Sequence, residues 1–371
     1  MAEPLRILGV GNAKSRNFAG WATRLAERGH EVHIVSGRVN SRAGELDGLV
    51  VHQFRDLELL LRVPVLRRAR FAPALAGLAR RVRPDVVHAH YLLPYGNWAA
   101  RADTHPLVVS PWGTDALVDG RPGARGHESA REAIAGADLV IVNSRALEQA
   151  AIELDAPAER VRYVLWHADL SGFGGERREP GYYHERLGWP EDALVILSLR
   201  NFRPDTHIDQ LVRAFDRVRR EEPHARLVLA ARRGPLRAEV EQLVDRLSLQ
   251  DVVAFVSVAA LELPALIASA DVAVTLTDSD SSPPSLLESM ASALPLVATP
   301  AASIEEWVGQ GDGAEIVSNE DDGSVAEALL RLARDPGLRA RYGERNRRVV
   351  LDAYGDPTAE LERLYEEVAA A

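Results

Sequence analysis

The sequence predicts an α/β protein of two doubly wound domains, each built on a parallel sheet. Short apolar runs alternate with stretches long enough for crossover helices, which is the rhythm of parallel strands. That rhythm breaks once near the middle of the chain and then resumes. The 371 residues, 46% hydrophobic and 26% charged, also suit two compact cores better than one.

In the first half, Leu5–Val10, Glu31–Ser36, Asp85–Ala89, Pro106–Ser110 and Asp138–Val142 read as strands. In the second half, Leu194–Leu199, Arg226–Ala230, Val252–Val256, Asp271–Thr275 and Leu296–Ala298 do. Between the two sets, Ser171 to Gly181 collects glycines, charges and a proline, the composition of a surface linker. The expected boundaries are a first domain over 1–170, a linker over 171–190 and a second domain over 191–352. Residues 353–371 close the chain with a helix that is amphipathic through Leu361, Leu364, Tyr365 and Val368 and needs an apolar partner. Ligands of open parallel sheets bind beyond the carboxyl ends of the strands. Two such sheets set face to face make a cleft, so the residues just after strands carry the functional information.

Composition removes several classes of function. A net charge of −10 and a pI near 5.6 withhold the overall positive field that gathers nucleic acid. The absence of cysteine excludes disulfides, thiolate metal sites and a Cys nucleophile. Lys14 is the sole lysine among 44 basic residues, so arginine must grip any phosphate. No apolar run approaches the roughly 20 residues of a spanning helix, and the start lacks a basic, apolar leader. A cytoplasmic protein is expected. Between Leu57 and Pro84, Arg62, Arg67, Arg68, Arg70, Arg80, Arg81 and Arg83 face one acid, Glu58. A solvated helix face is the preferred reading, with peripheral contact at the inner membrane face or a charged acceptor as alternatives.

The most informative segment runs from Asp278 to Ala291, a loop entering a helix after the strand that ends at Thr275. Ser282 suits the N-cap and Pro283 the first helical position, with Leu286, Leu287, Met290, Ala291 and Leu294 on the buried face. The amides of Ser285 and Leu286 then point along the positive end of the helix dipole, where a phosphate sits well. Glu288 lies roughly 7.5 Å down the axis from Pro283 and leans back toward that end. Asp280 stands on the loop before it, and one carboxylate at each end suits a nucleotide sugar. Simple capping by Asp280 and Ser282 beside a solvated Glu288 fits the spacing equally.

Other candidates follow strands too. Arg200 and Arg203 are cations able to clamp a phosphate in bidentate fashion, with Arg232 and Arg233 weaker candidates. Ser257 is expected to face a base. Gly9-x-Gly11 follows the first strand, but Lys14 occupies the third glycine position of a dinucleotide fingerprint, which argues against a nicotinamide enzyme. Gly11, Asn12 and Arg16 are expected to line the cleft, with Gly11 meeting a bound ligand. His88 and His90 share a strand face, and a histidine pair can ligate metal, but no third ligand is evident. No metal or cofactor is therefore expected, and His90 reads as acceptor-side, orienting or structural. Trp112 offers a wall for a sugar ring and Asp115 a carboxylate for an acceptor hydroxyl.

Asp280-x7-Glu288, followed by Ser289-Met290-Ala291-Ser292-Ala293-Leu294-Pro295-Leu296-Val297-Ala298-Thr299, resembles the E-x7-E signature and "EAMAxGLPVVAT" run of retaining glycosyltransferase family 4, in its "SDGTSxSLLEAMA" form. Arg28–Ser36, Arg83–Tyr91, Gly136–Ser144 and Leu165–Leu170 are similar to further family stretches, so the resemblance spans nearly the whole chain. It implies the GT-B fold, in which two Rossmann-like domains face each other across a cleft. The C-terminal one takes a nucleoside diphosphate sugar, and the last helix crosses back to the N-terminal one. It also implies a retaining transfer without metal, with Arg200, Arg203 and the helix amides on the diphosphate, Glu288 on the ribose and Asp280 on the sugar hydroxyls. Asp280, Arg200 and His90 would then act at the reacting centre. The acceptor would be a small molecule, a natural product, a lipid or a glycan, and a homodimer is compatible with the sequence. Thr206, Trp112 and His167 depart from the family pattern. They open a second reading, a catalytically inactive sugar-nucleotide-binding or scaffold protein of the same fold.

Overall fold

A computed structural model of the chain describes residues 3–36, 49–53, 64–174, 181–231, 234–257, 259–318 and 320–371. Arg62, Arg232, Arg233 and residues 175–180 of the expected linker lie outside the described residues, as do the side chains of Arg67, Arg68 and Arg70. The chain divides into two compact units, one comprising Met1–Ala168 with Asp356–Ala371 and the other Asp169–Gly355.

The first unit carries the strands β1 (Arg6–Val10), β2 (Glu31–Ser36), β3 (Leu49–Gln53), β4 (Val86–His90), β5 (Leu107–Ser110), β6 (Leu139–Val142) and β7 (Val161–Tyr163). They form one sheet in the order β3-β2-β1-β4-β5-β6-β7, with every neighbouring pair parallel. Helix α1 (Arg16–Glu27) buries Phe18, Trp21, Ala22 and Leu25, the i, i+3, i+4, i+7 stripe of a helix lying on a sheet. Helices α2 (Pro64–Val82), α3 (His127–Ala135) and α4 (Arg145–Glu153) form further crossovers.

The second unit opens with α5 (Gly181–Leu187) and continues through β8 (Leu194–Ser198), α6 (Ile208–Glu221), β9 (Ala225–Leu229), α7 (Arg237–Arg246), β10 (Val253–Phe255), α8 (Leu263–Ala268), β11 (Val272–Thr275), α9 (Pro284–Ala291), β12 (Leu296–Ala298), β13 (Gly309–Gln310), β14 (Gly313–Ile316), α10 (Asp322–Arg334) and α11 (Pro336–Tyr354). Its sheet has the order β10-β9-β8-β11-β12-β14-β13. In both sheets the order reverses near the middle, between β1 and β4 and between β8 and β11. That crevice is where a doubly wound sheet binds ligands.

Three expected strands begin with an aspartate that the structure places just outside the ladder. Asp85 donates its amide to the Arg6 carbonyl and accepts the Arg6 amide on Oδ2 at 2.7 Å. Asp138 does the same with Leu107 and Asp271 with Val195, each carboxylate accepting at 2.8 Å. Each aspartate thus brackets a residue at the start of the neighbouring strand, the first of β1 and β5 and the second of β8, satisfying donors that the ladder leaves open.

The ends of the sheets differ most from the sequence reading. β3, β7, β13 and β14 were not apparent as strands, because they are two to five residues long and β13 and β14 are broken by glycines. Residues Gly181–Leu187 of the expected linker are helical. Tyr183 is buried there and donates its hydroxyl to the Leu266 carbonyl at 2.7 Å, which ties α5 to the second unit.

The closing helix α12 (Pro357–Ala370) belongs to the first unit. Asp356 caps it through the amides of Thr358 and Ala359. Leu361, Leu364 and Tyr365 pack in one cluster with Ile7, Phe18, Trp21 and Trp166. In the second unit, α11 sits on the turn after α9 so closely that a Cβ on Gly343 would stand 2.0 Å from the Ala293 carbonyl oxygen. Gly343→Ala should therefore destabilise the second unit by about 1–3 kcal/mol. Hydrogen exchange should show lost protection in α9 and α11 with the first-unit strands unchanged.

Candidate active site

In the second unit, the loop after β8 and the loop after β11 meet at the crevice where strand order reverses. Arg200, two residues beyond β8, places Nη2 2.6 Å from Oδ2 of Asp280 on the loop after β11. The side chains are 13% and 19% exposed, so this pair is largely withdrawn from solvent. Asp280 is held from its other sides, since Oδ1 accepts the Ser281 amide at 2.8 Å and its carbonyl accepts the Ser303 hydroxyl at 2.5 Å. Thr277 and Thr299 cross-link the same loop, Thr277 donating its amide to Thr299 Oγ1 at 2.8 Å and Thr299 Oγ1 donating to the Thr277 carbonyl at 2.7 Å.

Arginine has five N–H donors in a rigid fork. The bond to Asp280 fixes that fork, while Arg200 Nε is buried without a hydrogen-bond partner among the described residues. A small recess beside it is lined by Arg200, Thr275, Ser285, Leu286 and Ser289 together with apolar residues of β8, β11 and β12. An oriented cation with a spare donor at the amino end of a helix can hold an anion.

Several expectations about this end need correction. Pro283 is the N-cap and Pro284 the first helical residue. Ser282 has φ of 46° and accepts the Trp307 indole N–H at 3.0 Å, so it does not cap the helix. The Leu286 amide donates to the Pro283 carbonyl at 2.9 Å, which leaves Leu286 to line the recess with its other atoms. Ser285 lines it as well. Glu288 is 2% exposed, so the solvated alternative is overturned. Arg203 pairs instead with Asp205 at 2.9 Å on the exposed side of its loop. Thr206, 3% exposed, holds its hydroxyl 2.6 Å from the Asn201 carbonyl and 2.8 Å from that of Arg203 and so knits the loop together. Ser257 is exposed in the loop after β10.

The first-unit candidates gather at the carboxyl ends of β1, β4 and β5. Gly11 donates its amide to the Val35 carbonyl at 3.2 Å and lies so close to Phe18 that a Cβ would meet the ring at 2.8 Å. Asn12 and Arg16 are exposed on the following turn, where Asn12 Oδ1 accepts the Lys14 amide at 3.1 Å. His90 is 1% exposed inside a cage of rings, with centroids 4.0 Å from His88, 4.4 Å from Trp21, 4.6 Å from Trp166 and 5.0 Å from Phe18. Burial, then the neighbouring His88, pushes its pKa well down, so it is a neutral imidazole shielded from any acceptor. Among the described residues no group of three or more histidines, aspartates or glutamates is placed to hold a metal ion.

Asp115 is fully buried and does not face an acceptor. It accepts the Leu92 amide at 2.6 Å and those of Trp112 and Gly113 at 2.9 Å. It is the staple that joins the loop after β4 to the loop after β5. Half-buried Trp112 is the ring that this staple holds at the edge of the aromatic cluster. Sequence reasoning missed Tyr91, the residue just after β4. It adopts φ 82° and ψ 123°, a strained combination for a side-chain-bearing residue, and its hydroxyl lies 3.2 Å from Thr114 Oγ1. Its place at the end of a switch-point strand was the available signal.

The family model for group 1 glycosyl transferases matches residues 182–349, and that for glycosyltransferase family 4 matches residues 17–168. A D-inositol 3-phosphate glycosyltransferase of Kineococcus radiotolerans is 31% identical in an alignment that covers 92% of this chain and 88% of that one. The chain belongs to glycosyltransferase family 4. A second family 4 relative is the N-acetyl-alpha-D-glucosaminyl L-malate synthase of Bacillus anthracis, 26% identical over 93% of this chain and 91% of its own. The two Rossmann-like units are those of the GT-B fold. Anabaena HepE in complex with UDP and glucose matches with a TM-score of 0.78 at 17% identity, covering 99% of this chain and 100% of that one. Sucrose-phosphate synthase from Thermosynechococcus elongatus matches with a TM-score of 0.77 at 18% identity, covering 99% of both. Among the described residues of this glycosyltransferase, no helix is long and apolar enough to cross a membrane.

Two outcomes test the geometry. Arg200→Ala and Asp280→Ala, alone and combined, should give a coupling of about 1–2 kcal/mol in urea unfolding of the second unit. Burial pushes the Asp115 pKa up to about 6, against the pull of its three amide partners. Being raised from the usual 3.8 of an aspartate, it contributes stability below that value that is lost as pH rises through about 6. Stability of the wild type minus that of Asp115→Asn should fall over that window and level off above it.

Proposed function

We propose that the chain is a retaining, metal-independent glycosyltransferase that moves a sugar from a nucleoside diphosphate donor to a hydroxyl of a small-molecule acceptor. The observation that carries this reading is the Arg200–Asp280 pair, which leaves a buried guanidinium donor beside the recess at the start of α9. Arg200 and the amino end of α9 would meet the diphosphate and stabilise the charge that grows on the leaving oxygen, the electrostatic task that a metal performs elsewhere. Asp280 would do two things at once, orienting Arg200 and offering its carboxylate to sugar hydroxyls. Glu288, one turn into the helix, would take the ribose.

In the retaining reaction the bond from the anomeric carbon to the phosphate oxygen breaks and a bond to the acceptor oxygen forms on the same face. The acceptor proton passes to the departing phosphate, so no protein nucleophile is required. Trp112, Tyr91, Asn12 and Arg16, which follow β1, β4 and β5, would be the first-unit side chains that contact an acceptor. The names of the two relatives support a small hydroxylated acid or phosphate in that role, and the UDP bound to HepE supports UDP as the first base to try. The relatives give no support to an inactive scaffold.

A thermal-shift series with UDP, GDP and ADP and their sugars tests the donor. A ligand at 100 times its Kd adds about 2.7 kcal/mol of stability, and that stabilisation should survive EDTA. Arg200→Ala should abolish the shift and Glu288→Gln should reduce it. A wild-type protein that responds to none of these nucleotides would refute the reading.

A further inference from the structure

A hydrogen-bonded chain runs through the core of the first unit, away from any group assigned above to substrate. The Trp21 indole N–H donates to the Tyr365 hydroxyl at 2.9 Å. That hydroxyl lies 2.5 Å from His88 Nδ1, and His88 Nε2 lies 2.9 Å from Ser110 Oγ. All four side chains are buried.

Indole nitrogen is a donor only, so the Tyr365 oxygen accepts from Trp21. The buried Tyr365 proton is satisfied only if it goes to His88 Nδ1, which sets the direction of the chain. A neutral imidazole that accepts on Nδ1 carries its proton on Nε2, so His88 donates to Ser110. Desolvation holds the ring neutral, pushing its pKa down to about 3. The proton order along the chain is therefore fixed by α12, the last helix of the protein.

We propose that Tyr365 is a positioning residue, which acts through His88 to lock the imidazole in its Nε2–H form and to anchor Ser110 at the end of β5. Ser110 is the register partner of His90 and donates no direction of its own. Two residues further on, Trp112 leaves the strand under the Asp115 staple. The His88 ring also stacks on His90 at 4.0 Å with an interplanar angle of 29°, so its orientation sets one wall of the aromatic cage. The terminal helix thereby controls the geometry of the β4 and β5 ends without touching a ligand. The consequence for turnover rests on the transferase reading, whereas the tautomer itself does not.

The experiment uses the full-length protein labelled with 15N-histidine, with His88 assigned by the loss of its signals in His88→Asn. At pH 7, two-bond 1H–15N correlations should show Nδ1 as the unprotonated, pyridine-type nitrogen and Nε2 as the protonated one. A proton on Nδ1, or on both nitrogens, overturns the proposal. Tyr365→Phe should release the lock and give a mixture of tautomers, while Trp21→Phe, which spares the bond from Tyr365 to His88, should keep the single form. An unchanged spectrum in Tyr365→Phe also overturns the proposal.

Hydrolysis of UDP-N-acetylglucosamine, UDP-glucose, GDP-mannose and ADP-glucose gives the activity readout. For the sugar nucleotide that the wild type turns over, Tyr365→Phe should lower kcat about tenfold at unchanged KM, as a small misplacement at the acceptor side would. Unchanged kcat overturns the positioning role. Failure of the wild type to hydrolyse any of the four counts against the transferase reading and leaves the tautomer result to decide the proposal.

Discussion

The second unit depends on one ion pair. Arg200 and Asp280 come from loops on adjacent strands, and their 2.6 Å contact closes the crevice between β8 and β11 on one side while fixing a guanidinium on the other. Removing a charge pair this far from water leaves each partner expensive, so the two residues constrain each other's loops as well as any ligand. The surrounding hydroxyls of Thr277, Thr299 and Ser303 serve that constraint, since each bonds a backbone group of the loop that carries Asp280. These bonds set the guanidinium in place, and a charge already oriented can stabilise an anion with little reorganisation.

The first unit solves a different problem. The carboxyl ends of its strands are crowded with rings, and the few polar atoms among them are either tied into the chain from Trp21 to Ser110 or, like His90, held neutral by burial. Asp115 shows the same economy: one buried carboxylate satisfies three amides and makes two loops behave as one. Polar groups here shape the carboxyl ends of the strands, and half-buried Trp112 stands at their edge.

The two sheets and the prominence of Arg200 and Asp280 were legible in the sequence, because strand position and local spacing determine which side chains emerge at a switch point. Three features were not. The Leu286 amide closes a tight first turn on Pro283, an outcome of loop geometry rather than of residue type. His90 is enclosed by Phe18, Trp21, Trp112 and Trp166, residues 22 to 76 positions away, so no local pattern distinguishes it from an exposed histidine. Asp115 looks like a free acid until the amides of Leu92, Trp112 and Gly113 converge on it. The edge strands escaped for a similar reason, since pairing with a neighbour, not composition, makes three residues such as Val161–Tyr163 a strand.

The aspartates at positions 85, 138 and 271 have a consequence for how these sheets come to be aligned. Each grips both main-chain groups of a single opposing residue, so sliding the strands past one another by even one position would break two bonds together. They act as indexing pins: a pairing that nucleates at such a point is correct or it is not made. The same pin serves one strand pair in the second unit and two in the first, so the alignment is encoded where each strand begins and the far ends are left free to diverge for chemistry.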